Sequence, residues 1–396
     1  MKQKCVILRG NRMLARDVFR GAFANQMDVM FPRGEVSVEV AELHRNDIPS
    51  VTRDADVLAI APAMPMSLIE PYVTPQDAIP VGGATLAWGV KAVKANTSPY
   101  TGKDIVVAVL DTGIDASHAA FDGVELVQRD FTGDNGTAKD TDGHGTHCAG
   151  TIFGRAVDGM RIGVAPGVKR ALIGKVLGGG RGGSTETIAS AIQWAAENGA
   201  HVISMSLGLD FPSYQQQLMD MGYPPPIATS RALEGYRANV MLFERLASFI
   251  RARAHPTVMI AAAGNESQRK VDPRFEISVS PPAVSEGMIS VAALGERDGG
   301  LEVADFSNTG ANVSGPGVGI DSAKLGGGLV KMSGTSMATP HVAGVAALWA
   351  EAIVKVAPLS VMALTAKLVG SATFEGMGEG FDPFDAGAGL VIAPQA

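Results

Sequence analysis

"MSGTSMATPHVAG" (residues 332–344) sets a serine, Ser336, behind Gly334 and Thr335 and at the head of a run that reads as a helix. Pro340 falls inside that run, where proline removes a hydrogen bond and ordinarily breaks a helix. A helix beginning at about Ser336 resolves the conflict. Pro340 then lies in or just after the first turn, where backbone N–H groups have little or no intrahelical pairing to lose. The same start puts the partial positive charge of a helix N-terminus beside the serine hydroxyl. Ala338, Ala343 and Gly344 allow close packing of this helix against its neighbours, and Met337 is an oxidation liability.

Upstream, from residue 104 on, β-branched runs alternate with helical patterns. Strands are expected at 105–110, 170–177, 201–207, 257–263 and 288–294. The clearest helix is 185–199, with Ile188, Ala191, Ile192 and Ala195 on one face and Gly199 as its stop. This alternation implies an α/β domain with a mostly parallel sheet covered on both sides. Residues 1–80 read as a small α+β unit with its linker: CVILRG, RDVFRGAFAN, VSVEVAEL, a short helix at IPSVTRD and VLAIAPA, then Pro- and Gly-rich chain from Pro71 to Gly102. The large domain spans 81–396. An insertion at about 210–255 carries the turn-forming GYPPP (222–226) and an amphipathic pattern from Thr229 to Ala254.

The 396 residues suffice for one large core plus an appended unit, and a net charge of -7 makes no electrostatic case for nucleic acid or an anionic membrane. Apolar runs such as VMIAAAG (258–264) are too short to span a bilayer. The N-terminus has no signal-peptide pattern, and two cysteines, Cys5 and Cys148, make no disulfide framework; both favour a cytoplasmic location, with secretion as the alternative.

Three stretches carry chemistry. In VAVLDTGID, Asp111 ends an apolar strand, as a turn residue or an aspartic-protease half-site also does. In DGHGTHCAG, His144, His147 and Cys148 suit a metal cluster or a catalytic base. The surroundings of Ser336 resemble the nucleophile elbow of α/β-hydrolases, but there the acid and histidine follow the serine, whereas here they precede it. The order Asp, His, Ser across a parallel sheet is the one found in subtilisin.

With VLDTGID, HGTHCAGT and SGTSMATPHVAG, and with VISMSLG and AAAGNES between them, the chain from about residue 85 resembles the subtilisin-like serine proteases. The resemblance implies the family's three-layer fold and hydrolysis of peptide bonds through an acyl-enzyme. Ser336 is then the nucleophile, His144 the base and later acid, Asp111 the carboxylate that orients the imidazole, and Asn265 an oxyanion donor beside the Ser336 N–H; His147 is a structural neighbour. Asp111, Ser206 and Asn265 all end predicted strands, where open α/β sheets build their sites. Ser206, Leu207 and Gly208 match one substrate-binding edge and Gly182 and Gly183 the other, while Ala263 and Gly264 lead into Asn265. Such edges bind an extended peptide by backbone pairing. The glycine run lacks the Gly-Lys-Ser/Thr ending of a phosphate loop.

Departures from the family pattern shape further expectations. Ala120 and Val157 stand where relatives place calcium ligands, so the usual strong calcium site is expected to be absent, with Asp122 or Asp158 available for a different one. No cofactor or metal is otherwise implied. HGTHCAGT resembles the proteinase K-like branch, where a free thiol lies under the histidine; Cys148 reads as a buried small hydrophobe. Ser280 aligns with the base of the first specificity pocket and Glu266 with its rim. The N-terminal unit reads as a propeptide-like inhibitor and folding aid, or as an accessory domain. A catalytically silent peptide-binding scaffold and a protease dedicated to one precursor are the alternative functions. The base assignment implies activity rising from about pH 6 toward 8.

Overall fold

The computed structural model describes residues 2–10, 36–73, 85–133, 136–178, 182–298 and 300–396. At the N-terminus, β1 (Lys2–Gly10), β2 (Val36–His44) and β3 (Val57–Pro62) form an antiparallel sheet in the order β2-β1-β3, with the one-turn helix α1 (Ile48–Val51) leading into β3. The expected RDVFRGAFAN segment lies outside the described residues. Two short strands follow, β4 (Pro65–Leu68) and β5 (Tyr72–Val73), and then helix α2 (Trp88–Ala92). Within the stretch from Pro71 to Gly102, expected as linker, Tyr72 and Val73 are paired strand and Trp88–Ala92 is helix.

The main sheet contains β6 (Val106–Asp111), β7 (Glu125–Asp130), β8 (Arg170–Lys175), β10 (Val202–Met205), β12 (Val258–Ala262), β13 (Met288–Arg297), β14 (Gly300–Val303) and β15 (Val313–Pro316). Its order is β14-β13-β12-β10-β6-β8-β7, with β15 also on β13. All pairs are parallel except β13 with β14. β9 (Gly183–Ser184) and β11 (Leu207–Leu209) stand apart from this sheet, as do β16 (Ile320–Ala323) and β17 (Leu329–Ser333). Each of the five central strands expected from the sequence is present within three residues. β7 was missed because its pattern, ELVQRD, is that of a half-exposed edge.

Alternate residues of β6 feed two cores. Val107 and Val109 pack with α3 (His144–Phe153) and α7 (Thr335–Val354); Ala108 and Leu110 pack with α4 (Thr185–Glu197) and α6 (Pro225–Arg251). Burial of each such Val or Leu contributes about 1.5–3 kcal/mol, which is why a two-sided parallel strand reads as a continuous apolar run. Ser184 caps α4 by accepting from the Thr187 N–H, and Gly199, at φ +81°, ends the turn after it. α7 is long and apolar enough to cross a membrane, but it is the buried central helix of this core.

The insertion is a helical hairpin, α5 (Phe211–Asp220) and α6, joined by the turn at Gly222 and Tyr223. α6 starts at Pro225, earlier than its amphipathic pattern indicates, because proline suits the first helical position. Near the C-terminus, Leu390 makes isolated bridges to Ser314 and Thr373, and the Ala393 N–H donates to the Val93 carbonyl.

Candidate active site

β6 ends on Asp111, and α3 begins on His144 after Gly143, whose φ of +106° turns the chain into the helix. Asp140 holds that turn: it accepts from the Thr112 hydroxyl at 2.9 Å, from the Gly143 N–H at 2.9 Å, and from the Thr146 N–H and hydroxyl at 2.9 and 2.6 Å. A side chain on Gly145 would strike the Gly113 carbonyl at 2.2 Å, so glycine is what lets α3 press against the end of β6. The result is an Asp111 Oδ1 to His144 Nδ1 contact of 2.7 Å in a fully buried pair. Burial alone would lower the His144 pKa, but the charge and hydrogen bond of Asp111 outweigh it and hold the imidazole well above its usual value.

Ser336 sits in the first turn of α7, which starts at Thr335 and runs unbroken through Pro340. Proline cannot donate to the Ser336 carbonyl one turn back. That carbonyl accepts instead from the Ser206 hydroxyl at 3.2 Å and the Cys148 thiol at 3.4 Å, so the proline is accommodated by side chains of two other elements as well as by its early position. Cys148 also lies 3.8 Å from His144 Nδ1, which brings helix α3, strand-end Ser206 and the serine together.

Asn265 follows β12. Its Oδ1 accepts from both the N–H and the hydroxyl of Thr335 at 2.9 Å, which leaves its Nδ2 facing the cleft. Gly264, at φ +117°, packs against Asn308, and Asn308 Nδ2 donates to the Glu266 carboxylate at 2.6 Å. Ala263 is buried behind this turn, with its carbonyl bonded to Asn308 Nδ2.

The two edges expected to bind extended peptide are both occupied by the chain itself. β4 lies between β11 and β9: Leu68, Ser67 and Met66 pair antiparallel with Leu207, Gly208 and Leu209, and Met66 and Pro65 pair with Gly183 and Ser184. Gly182, at φ +63°, closes on the Met66 carbonyl so tightly that a Cβ would lie 2.7 Å from it. A side chain at Gly208 would meet Ser280 Oγ at 3.0 Å and press on Ile69, which is 3% exposed; glycine leaves that pocket open for Ile69. Beyond β4 the Ser336 hydroxyl donates to the Ile69 carbonyl at 3.1 Å, and Asn265 Nδ2 donates to the Glu70 carbonyl at 2.9 Å. Tyr72 and Val73 then pair with Ser333 and Met332. The sequence reading found both edges but missed this strand; the apolar Met64, Met66, Leu68 and Ile69 after VLAIAPA were its available signal.

Of the residues weighed as a metal cluster in HGTHCAG, the fold engages His147 elsewhere. His147 Nε2 is spent on the Ile320 carbonyl at 3.0 Å, and burial drops its pKa to about 3. Among the described residues, Asp111, His144 and Cys148 converge as an acid, an imidazole and a thiol, and burial pushes the Cys148 thiol above its usual pKa. At the loop where calcium was considered, Ala120 and Val157 are buried in the core, and Val157 and Met160 pair through their backbones. Guanidiniums engage the local carbonyls: Arg155 donates to those of Phe153, Pro166 and Val168, and Arg161 to those of Ala95, Gly163 and Val164.

The profile of the Subtilase family matches residues 102–389. Alkaline elastase YaB of Bacillus sp. (strain YaB) is 34% identical over 325 residues, covering 78% of this chain and 72% of the elastase. The major intracellular serine protease of Bacillus subtilis (strain 168) is 35% identical over 288 residues, covering 70% of this chain and 78% of that protein. In fold, the chain is similar to the crystal structure of fervidolysin from Fervidobacterium pennivorans, a keratinolytic enzyme related to subtilisin, with a TM-score of 0.67 and 23% identity; the alignment covers 99% of this chain and 60% of fervidolysin. Family profile, relatives and fold agree, and the chain belongs to the subtilase family of serine proteases.

Proposed function

We propose that the chain is a serine endopeptidase that cuts extended polypeptide through an acyl-enzyme on Ser336. The Ser336 Oγ attacks the scissile carbonyl carbon while its proton passes to His144 Nε2. Asp111 fixes the imidazole through Nδ1 and stabilises the imidazolium. Asn265 Nδ2 and the Ser336 N–H receive the oxyanion, and the collapsing intermediate expels the amine, which takes the proton from His144. Water then repeats the sequence on the ester. The observation that carries this reading is the course of residues 65–73, a strand paired to both cleft edges that delivers successive carbonyls to Ser336 and Asn265.

The same course supports the N-terminal unit as an intramolecular inhibitor. Ser336 Oγ donates to one carbonyl oxygen and Asn265 to the next, so the nucleophile and the oxyanion donor are divided between two peptide units. Attack requires both on one carbonyl.

The chain's residues do not suit calcium at loop 154–163. Val157 and Ala120 are buried and have no side-chain oxygen to offer, the Val157 carbonyl accepts from the Met160 N–H, and the Arg155 and Arg161 guanidiniums hold the flanks of the loop through the Phe153, Gly163, Val164, Pro166 and Val168 carbonyls. In this reading, fixed cations replace a bound one.

Peptide hydrolysis by the wild type is to be compared with Asn265→Leu and His144→Ala. Loss of the oxyanion donor is expected to lower kcat by about 10²–10³, a range taken from a subtilisin relative, with KM little changed. An unaltered kcat in Asn265→Leu contradicts the assignment.

A further inference from the structure

The hairpin α5–α6 is inserted directly after the cleft edge β11, and its parts do different work. The C-terminal half of α6 buries Leu242, Phe243, Leu246, Ala247 and Ile250 in the enzyme core. The middle of α6 grips residues 62–64, which run from the last residue of β3 to the residue before the cleft strand β4. Asn239, fully buried, donates to the Pro62 carbonyl at 3.0 Å and accepts from the Thr185 hydroxyl at 2.6 Å; that same hydroxyl accepts from the Met64 N–H at 3.1 Å. Gly235 lies so close that an added Cβ would stand 3.2 Å from Met64 Sδ, from Pro62 Cγ and from Tyr214 of α5. At the start of α5, the Asp210 N–H donates to the Pro65 carbonyl at 3.0 Å.

We propose that the α5–α6 hairpin is a retention clamp, whose partner is the chain's own residues 62–65 and which keeps the N-terminal unit seated in the cleft after the connection between them is cut. The inference rests on the inhibitor reading given above. The clamp acts where it has most leverage: β4 cannot lift from β9 and β11 while Pro62 and Met64 are held, because only Ala63 separates them and β4 begins at Pro65. Withdrawal needs the buried Asn239 amide and the Thr185 hydroxyl to lose their partners together, a cost that appears in the dissociation rate more than in the association rate. The interface is not sealed throughout. A cavity of about 160 Å³ remains between the unit and the hairpin, lined by Cys5, Ile60, Tyr214, Arg231 and Glu234 among others. The grip is therefore local, concentrated at 62–65, and a wedge placed there opens it.

The test uses the full chain with Ser336→Ala and a recognition sequence for a site-specific protease inserted between Gln76 and Asp77. After cutting, the dissociation rate of the N-terminal fragment is measured by size exclusion and by exchange with labelled fragment. Gly235→Ala and Gly235→Val introduce graded wedges on the face of α6 that meets Pro62 and Met64. The clamp predicts dissociation accelerating from wild type to Ala to Val, by about tenfold for Val, equivalent to about 1.4 kcal/mol. Equal rates in all three overturn it, and Gly235→Ala decides if the Val variant does not fold. The inhibitor reading is read separately in the cut chain with Ser336 intact: if fluorophosphonate labels Ser336 as fast with the fragment bound as after its removal, that reading fails while the retention rates still stand.

Discussion

Truncating the two side chains that anchor the cleft strand is expected to unmask Ser336 without touching the catalytic groups. Met66 is 1% exposed between β9 and β11, and Ile69 is 3% exposed in the pocket beside Gly208 and Ser280. Removing each side chain beyond Cβ forfeits about 2 kcal/mol of apolar burial, and the two lie in different pockets, so their losses add to about 4 kcal/mol. At about 1.4 kcal/mol per tenfold, the ratio of occupied to open cleft falls by about 1,000-fold in Met66→Ala/Ile69→Ala. The assay is the rate at which a fluorophosphonate labels Ser336 in the uncut chain, with the N-terminus confirmed intact by mass spectrometry over the same time course. Labelling should accelerate until the cleft is fully open, which caps the gain below the full ratio. Equal labelling rates in wild type and the double variant would falsify the claim that residues 65–70 block the site.

The pH dependence follows from the buried histidines. His144 is held above its usual pKa, so the neutral base needed for attack appears only as pH passes that raised value; the activity profile should rise with a midpoint above about 6.5, and a midpoint at or below 6.5 contradicts the Asp111 effect. For stability the sign is opposite: the contribution from protonated His144 is full below about 6.5 and is lost as pH climbs through the raised folded value. His147 and His341 are buried neutral, with values of about 3 and about 4, so stability also falls as pH drops from about 6.5 toward those values, a decline visible in thermal melts. Chelator should leave the melting temperature unchanged, while Arg161→Ala should lower it by removing donors from three carbonyls; a chelator-sensitive wild type counts against fixed cations at that loop.

What was legible in the sequence was chemistry tied to a narrow choice of residue. Asp111 ends β6, His144 begins α3, Ser336 stands in the first turn of α7 and Asn265 follows β12, each within a motif readable from its residues, and glycines such as Gly145 and Gly208 sit where a Cβ would collide. The central strands were legible because burial on both faces leaves an unbroken apolar run. The cleft strand was not, because the alternation of Met64, Met66 and Leu68 is too short to mark a strand by itself and its partners, Gly183 and Leu207, are more than a hundred residues away. The support of Ser336 through its carbonyl was equally hidden: Pro340 explains the need, but only the fold brings the Ser206 hydroxyl and the Cys148 thiol to meet it.

The most direct test of the account is the site of fluorophosphonate attachment combined with peptide hydrolysis. It predicts a single adduct on Ser336, formed slowly in the wild-type chain and faster in Met66→Ala/Ile69→Ala, and, in Ser336→Ala, loss of both the adduct and peptide cleavage. Peptide cleavage by Ser336→Ala at the wild-type rate, or an adduct on another residue that abolishes activity, would contradict it.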